Sequence, residues 1–336
     1  MIYLDNAASA PVLDCALSAA EPFLRDCWGN PSSIHTEGRR AALALIEARE
    51  KCARAIGAAP EEILFTSGGT ESDNMAVKSA ALAGWEQGRR RIVTTSVEHP
   101  AVMESCRALE RFGFVVDYLP VDSGGYVSAE RARELITPDT ALVTVMTANN
   151  EVGAVQPIHE ISAVCREHGV LFHTDAVQAA GMIPLDVNDI GCDMLSISAH
   201  KLGGLRGAGL LYCRRGIPVN PLLNGGGQEN GLRSGTENTA AIAAMGAAME
   251  YACRDIPGKS AAMSEVRDRL ISLLTEIPGS RLNGGESPRL CGNVSVSFAG
   301  IEGESLVLGL DLRGVCASSG SACASGDEKP DRKSVV

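Results

Sequence analysis

Residues 170–213 read VLFHTDAVQAAGMIPLDVNDIGCDMLSISAHKLGGLRGAGLLYC and contain three apolar runs of strand length, at 170–174, 194–198 and 207–213. Four similar runs precede them, at 63–66, 91–96, 114–119 and 141–147. Most of these runs are continuous, as expected for strands that are covered on both faces of a parallel sheet. Helical patterns at 38–56, 71–85, 101–112 and 158–168 provide the connections. The sequence therefore predicts an α/β fold with a mostly parallel, seven-stranded sheet sandwiched between helices.

The alternation of predicted strands and helices stops in the last third of the chain. A long Ala- and Met-rich helical pattern at 236–252 is followed by a second helix at 260–276 and a strand at 293–298. A chain of 336 residues is long enough for a large domain and a smaller one. We expect a large domain over 15–250 and a smaller α+β domain formed by 1–14 and 251–336.

Composition excludes several classes of protein. The net charge of -11 opposes nucleic-acid binding, which needs a surplus of Lys and Arg. No stretch has the roughly 18 apolar residues of a membrane span, and residues 1–12 lack the pattern of a secretory signal. The 11 cysteines are scattered and odd in number, which favours reduced thiols over disulfides or a metal site. We expect a cytoplasmic protein without a membrane, nucleic-acid or metal partner.

Two residues at predicted strand ends have the chemistry of a carbonyl cofactor site. Lys201 follows a buried run in SISAHKLGG, where desolvation lowers the pKa of an amine and makes it a nucleophile. Alternatively, Lys201 could form a structural ion pair. Asp175 follows the run at 170–174, at the edge of an open sheet where ligands bind. An aspartate there can keep the ring nitrogen of a pyridoxal cofactor protonated, or it can cap a helix.

Other strand ends carry polar groups. TSGGTESDN at 66–74 opens a helix, so the amides of Gly68, Gly69 and Thr70 can bind a phosphate, although such helix starts are common. His99 follows the run at 91–96 and could stack on a ring, move a proton or be merely structural. The sequence ANNEVG at 148–153 supplies amides that could bind an anionic oxygen or form a turn.

One cysteine lies in a setting unlike that of a buried thiol. Cys323 stands in ASSGSACASG, where small polar residues predict an exposed, mobile loop. Reactive thiols lie in accessible positions, but a passive surface cysteine would look the same in the sequence. Residue type and position therefore leave both interpretations open.

Taken together, these segments resemble the cysteine desulfurases of the NifS/IscS-like kind, within the class V aminotransferases and the fold-type-I enzymes that use pyridoxal 5'-phosphate. The resemblance runs from residue 2 to about residue 329. It is carried by the joint occurrence, in this order, of YLDNAA, GNPSSIH, TSGGTESDN, EHPAV, NNEVG, HTDAVQ, SAHK, RSGTEN, NVSVSF, EGESL and SSGSACASG.

The resemblance implies a role for each matching residue. Lys201 would hold the cofactor covalently, Asp175 would pair with the ring nitrogen, and His99 would stack on the ring and serve as acid or base. Gln178 would bond the phenolic oxygen, and Asn150 would lie beside the substrate. The phosphate would be held by Gly69, Thr70, Ser198 and His200, with Thr236 reaching across from the second subunit of a homodimer.

The implied reaction converts L-cysteine to L-alanine. Lys201 would remove the α-proton, and the thiolate of Cys323 would take the sulfur as a persulfide for delivery to an acceptor such as an iron–sulfur scaffold. Alternatives are a selenocysteine lyase, a class V aminotransferase, or a truncated pyridoxal-binding assembly partner without turnover.

The sequence departs from the family pattern in two places. Family members are expected to continue for several tens of residues beyond the cysteine loop, with an arginine that binds the substrate carboxylate. The sequence ends at Val336, and Arg332 is not assigned that role. LGGLRGAG at 202–209 replaces the usual turn containing proline and lysine, with Arg206 at the position of the basic residue.

Overall fold

A computed structural model describes residues 1–285 and 288–320. Cys323 and Arg332 therefore lie outside the described residues. Within the described ranges the helices are α1 (Asp14–Arg25), α2 (Thr36–Ala55), α3 (Gly69–Glu86), α4 (Pro100–Glu110), α5 (Ala129–Leu135), α6 (Ile158–His168), α7 (Val187–Ile190), α8 (Thr239–Ala252), α9 (Ile256–Thr275) and α10 (Gly303–Asp311). The strands are β1 (Ile2–Tyr3), β2 (Ile63–Thr66), β3 (Arg91–Thr95), β4 (Val115–Leu119), β5 (Thr140–Thr144), β6 (Leu171–Asp175), β7 (Met194–Ser198), β8 (Gly209–Cys213), β9 (Ser280–Leu282), β10 (Val296–Phe298) and β11 (Val315–Cys316).

The central sheet has seven strands in the order β2-β8-β7-β6-β5-β3-β4. β8 runs antiparallel to both of its neighbours, β2 and β7, and the other pairs in the sheet are parallel. All residues of β2, β5 and β7 are buried, which explains why these segments appear as continuous apolar runs. The predicted α/β fold and the seven predicted strands are confirmed, with most bounds shifted by one to three residues.

Small residues let the helices pack closely around this sheet. α8 is rich in alanine and packs against α1 and α2. At Gly246 of α8 an added Cβ would lie 2.7 Å from the Cα of Ala48 in α2, so that crossing admits no side chain. α1 was not predicted from the sequence, where the regular alternation was recognised only from about residue 35 onward.

Two short strand pairs lie outside the central sheet. β1 pairs in parallel with β11, and β9 pairs antiparallel with β10. The helix predicted at 236–252 begins at Thr239, so Thr236 lies in the preceding loop, and the strand predicted at 293–298 is shorter, Val296–Phe298. Both segments were predicted too long, because the residues that flank a helix or strand have a similar polarity but do not take part in its hydrogen bonds. Among the described helices, none combines the length and the apolar character of a membrane span.

Candidate active site

The strand directions gather the predicted residues at one edge of the sheet. Because β2, β3, β5, β6 and β7 all point the same way, their carboxyl ends lie side by side. The segments that leave this edge carry Gly68–Thr70, His99, Asn150, Asp175 and Lys201. Residues from distant parts of the sequence are thereby collected into one site.

Asp175 is the last residue of β6 and is only 5% exposed. Burial raises the pKa of its carboxyl to about 6, although the N–H of Val177 and the charge of Lys201 both act to lower it. Its Oδ1 accepts the Val177 N–H at 2.8 Å. The helix cap considered from the sequence is replaced by this local turn, since residues 176–182 form turns and no helix. Asp175 is therefore a largely ionised carboxylate at neutral pH, close to a lysine.

Lys201 ends a short 3-10 turn, Ala199–Lys201, directly after β7. Its Nζ donates to the carbonyl oxygens of Ala7 and Ala8, the latter at 3.0 Å. This lysine is half-buried, and its charge influences the pKa of Asp175. The N-terminal loop thus supplies hydrogen-bond acceptors that hold this amine near Asp175.

His99 caps the start of α4, where its Nδ1 accepts the N–H of Ala101 at 3.1 Å. A ring that accepts at Nδ1 carries its hydrogen at Nε2 when it is neutral. One polar atom each of His99, Asp175 and Asp73 lie within 4.8 Å of one another. The histidine is therefore close to Asp175, and Asp73, a residue that the sequence analysis did not single out, joins them.

The start of α3 forms a narrow cradle with β7 and β8. Gly68 precedes the helix and Gly69 begins it. A Cβ added to Gly69 would lie 2.8 Å from Val177 Cγ2, and one added to Gly209 would lie 2.6 Å from the Cα of Gly68. Ser198, at the end of β7, borders the same space, 3.5 Å from the added Cβ of Gly69. Backbone amides at this helix start are therefore available to an anion, and side chains there are excluded.

The remaining predicted groups lie around this cradle. Gln178 donates from Nε2 to the carbonyl of Ala7 at 3.0 Å, so it is next to the acceptor of Lys201. His200 Nδ1 lies 3.3 Å from Ser9 Oγ, which also accepts from Arg206 at 3.1 Å. Burial, followed by the charges of Lys201 and Arg206, lowers the pKa of His200. His200 is therefore a neutral ring in a cationic neighbourhood.

The ANNEVG segment forms the turn that the sequence left open as an alternative. Asn149 is buried, and its Oδ1 accepts the N–H groups of Glu151 and Val152 at 2.9 Å each. Asn150 is half-buried, and its main-chain carbonyl accepts from Asn293 at 3.4 Å. Asn149 is thus a structural residue of this turn, and Asn150 follows it directly.

Thr236 is exposed in the loop before α8. It lines a cavity of about 240 Å³ together with Ser67 and Gly207. Two ion pairs hold this loop to the body of the protein, Arg233 with Glu71 at 2.8 Å and Glu229 with Arg49. The loop is therefore anchored, and Thr236 lies on its accessible side.

Sequence reasoning missed two parts of the site. Asp73, in α3, is 1% exposed and lies beside Asp175. The carbonyls of Ala7 and Ala8 hold the Lys201 amine. Asp73 lies within TSGGTESDN, and an acidic residue on the buried face of a helix was the available signal.

These residues fit pyridoxal 5'-phosphate. An amine, a buried carboxylate and a histidine meet at one place, and next to them is a glycine-lined helix start that would bind a phosphate. Oδ1 of Asp73 is buried without a hydrogen-bond partner among the described residues, as expected for a site that a polar ligand completes.

Comparisons with known proteins identify the family to which this chain belongs. The family model described as aminotransferase class-V matches residues 2–332. The chain is 48% identical over 330 residues to a cysteine desulfurase IscS of Dictyoglomus turgidum, covering 98% of this chain and 84% of that protein. It is 47% identical over 329 residues to a cysteine desulfurase IscS of Methanosarcina thermophila, with coverage of 98% and 81%.

Solved structures give the same result. A NifS-like protein superposes with a TM-score of 0.92 at 40% identity, covering 95% of this chain and 87% of that one. A structure described as SspA in complex with cysteine has a TM-score of 0.84 at 38% identity, with coverage of 97% and 91%. The resemblance stated from the motifs is confirmed. This chain belongs to the class V aminotransferases and, within them, to the cysteine desulfurase family.

Proposed function

We propose that this chain is a pyridoxal-phosphate-dependent cysteine desulfurase that converts L-cysteine to L-alanine and carries the sulfur as a persulfide on Cys323. The observation that supports this most directly is the position of Lys201, whose amine is inside the site and close to Asp175. Class V relatives named as cysteine desulfurases, at 48% and 47% identity, support the choice of reaction.

When bound, the cofactor would supply an electron sink for the charge that develops at the α-carbon of the amino acid. The residues proposed to hold it are Gly69, Thr70, His99, Asn150, Asp175, Gln178, Ser198, His200, Lys201 and Thr236. Asp175 fits the ring nitrogen because it is a buried carboxylate. Ser198 fits the phosphate because it borders the glycine-lined start of α3.

The chain's own residues then move protons. Lys201 Nζ can carry the α-proton, and the carbonyls of Ala7 and Ala8 orient this amine through two hydrogen bonds. His99 is fixed at Nδ1 by the Ala101 N–H, so its Nε2 is the atom that can exchange a proton with the substrate thiol. The thiolate of Cys323 would attack the substrate sulfur, because thiolate is the nucleophilic form. The new S–S bond would form as the bond between this sulfur and the β-carbon breaks, and the electron pair left on carbon would take up a proton so that the amino acid leaves as alanine.

The experiment that tests this proposal measures cofactor, alanine and sulfide separately. Purified protein should show the absorbance of lysine-bound pyridoxal phosphate and should release alanine from L-cysteine, with sulfide appearing when a reductant is added. Lys201→Ala should abolish the absorbance. Cys323→Ala should keep the absorbance and lose sulfide. Cofactor binding without any alanine or sulfide would contradict the proposal and favour a non-catalytic assembly partner.

Rival enzyme functions predict different products. A selenocysteine lyase would release alanine from selenocysteine far faster than from cysteine. A class V aminotransferase would need a keto acid and would tolerate Cys323→Ala. Comparing the two amino acids, with and without a keto acid, separates all three functions.

We further propose a homodimer in which Thr236 of each subunit completes the site of the other. Thr236 is exposed. Large apolar side chains are also exposed near α1 and α2, with Trp28 at 81% and Ile34 at 90%, as expected for a surface that a second subunit covers. Trp28→Glu should weaken the dimer in sedimentation experiments.

Mixing two inactive variants tests the shared site. Lys201→Ala and Thr236→Ala chains, unfolded together and refolded at equal amounts, should regain about a quarter of wild-type activity, because half of the dimers would contain one intact site. No recovery in a mixture that contains heterodimers would contradict the shared site.

The sulfur acceptor and the cell compartment remain proposals. An iron–sulfur scaffold protein is the proposed acceptor, with delivery from the Cys323 loop. The division into a large domain (15–250) and a small domain (1–14 with 251–336), and a cytoplasmic location, also stay predictions. A pull-down by the Cys323 persulfide form, compared with Cys323→Ala, would identify the acceptor.

A further inference from the structure

A second buried carboxyl stands next to Asp175. Asp73 extends from α3 toward the sheet and is 1% exposed, and one of its polar atoms lies within 4.8 Å of those of Asp175 and His99. Its Oδ1 has no hydrogen-bond partner among the described residues. Two buried carboxylates this close repel strongly, so the pair retains a proton.

The neighbours decide which carboxyl keeps this proton. Asp175 accepts the Val177 N–H and lies near the positive charge of Lys201, and both favour its ionised form. Asp73 receives only a hydrogen bond from the Ser196 hydroxyl. Burial, and then the charge of Asp175, raises the pKa of Asp73 well above its usual value. The proton therefore belongs on Asp73.

A row of polar side chains lies behind Asp73. Ser196 forms a hydrogen bond with Asp73, and its Oγ lies 3.0 Å from His173 Nε2. His173 Nδ1 lies 2.8 Å from the Thr144 hydroxyl oxygen. Burial lowers the pKa of His173 to about 3, so the ring is neutral. No positive charge from this chain of contacts stabilises an ionised Asp73.

The other titratable groups around Asp73 also oppose its ionisation. Glu98, from the segment after β3, is buried, and its charge raises the pKa of Asp73. His99 and Asp175 face it from two further elements, and His173 lies 3.7 Å from its Oδ1. Within the described residues, this side of α3 therefore faces the carboxyls of Glu98 and Asp175, the neutral ring of His173 and the ring of His99.

We propose that Asp73 is a positioning residue that remains a neutral carboxylic acid, so that Asp175 alone carries the negative charge presented to the ligand. If both were ionised, two negative charges would have to be buried. If Asp175 held the proton, no carboxylate would face the ligand ring. The inference rests on the proposed function only for the identity of that ring as a pyridine.

Infrared spectroscopy of the full-length chain tests this directly. The wild-type protein near pH 7 should show the carbonyl stretch of a buried, protonated carboxylic acid, and Asp73→Asn should lack it. Asp193→Asn is the matched control, because Asp193 is buried but is paired with Arg214, and it should keep the band. A band that is unchanged in Asp73→Asn, or absent in the wild type, would overturn the proposal.

The pH dependence of the free energy of unfolding is a second test, because replacing a residue that only packs would not alter this dependence. Asp73 keeps its proton in the folded state and loses it on unfolding, so the stability it contributes is lost as the pH rises toward its folded pKa. Above the usual pKa of a free aspartate and up to the folded pKa of Asp73, the wild-type unfolding constant should rise more steeply with pH than that of Asp73→Asn, by at most about a factor of ten per pH unit. Equal slopes would count against the proposal.

These outcomes are independent of turnover. Both measurements can be made with and without added pyridoxal phosphate, and neither needs cysteine. A protein with the expected infrared band but no desulfuration would refute only the proposed function. A desulfurase in which Asp73→Asn changes neither the band nor the slope would refute only the role of Asp73.

Discussion

Removing the Glu229 side chain should loosen the loop that carries Thr236. Glu229 is 8% exposed, and it pairs with Arg49 while its Oε2 accepts the N–H of Phe65 at 2.9 Å. Its backbone has a φ of +47°, and that of Asn230 is +57°, values that non-glycine residues adopt at a cost. Contacts of the Glu229 side chain hold the loop in this conformation.

The magnitude follows from what Glu229→Ala leaves behind. The Arg49 side chain is 22% exposed. The change therefore leaves a largely buried guanidinium without its carboxylate partner and the Phe65 N–H without its acceptor. Together these losses should lower the free energy of unfolding by about 3 kcal/mol. Alanine does not relieve the positive φ. For a chain of 336 residues the unfolding entropy converts this into a fall in Tm of about 4 °C.

Differential scanning calorimetry gives the Tm, and three variants make the comparison. Glu229→Gln keeps an acceptor for Phe65 and should lose less than Glu229→Ala. Glu61→Ala is the control, because Glu61 and Arg215 form an exposed pair at 3.8 Å that is worth about 0–1 kcal/mol. The reasoning would be refuted if Glu229→Ala and Glu61→Ala had the same Tm.

Three further perturbations follow from packing and burial. Gly209→Ala should lower the free energy of unfolding by about 1–3 kcal/mol and weaken phosphate binding, because its Cβ would lie 2.6 Å from the Cα of Gly68. Gly227→Ala is the control, since a Cβ at Gly227 meets nothing within 4 Å. Equal denaturation midpoints for the two variants would contradict this prediction. Burial raises the pKa of four cysteine thiols to about 12, namely Cys52, Cys106, Cys165 and Cys192. Near pH 8 iodoacetamide should therefore label the exposed Cys15 and leave these four unmodified, which mass spectrometry can check. Burial lowers the pKa of His173 from 6.5 to about 3. Below about pH 6.5 the unfolded state therefore binds a proton at His173 that the folded state does not, and the free energy of unfolding should fall as the pH drops. In urea titrations at several pH values, His173→Gln should show a weaker dependence of this free energy on pH.

Much of the fold could be predicted because buried parallel strands have a simple sequence signature. The runs at 63–66 and 194–198 coincide with β2 and β7, where every residue is buried. Strand ends then indicated where ligand-binding residues would lie, which placed Lys201, Asp175 and His99 in one site. The joint motifs added the family, which a single segment such as SAHK could not have identified.

Other features left no comparable signal. α1 lies before the regular alternation, and the loop status of Thr236 depends on where α8 starts, at Thr239. A sequence pattern reports the polarity of neighbouring residues, whereas the end of a helix is set by individual hydrogen bonds and caps. The role of Cys323 rests on the motif resemblance, since it lies outside the described residues.

The sequence by itself determined which segments form the strands of a mostly parallel sheet and which polar residues follow them, because hydrophobic periodicity is a local property of the chain. Only the tertiary structure decided which groups meet there. It brought Ala8 to Lys201, which is 193 positions away in the sequence, and it set Asp73 beside Asp175. Charges and hydrogen bonds depend on distances of a few ångströms in space, and residue spacing along the chain does not contain those distances.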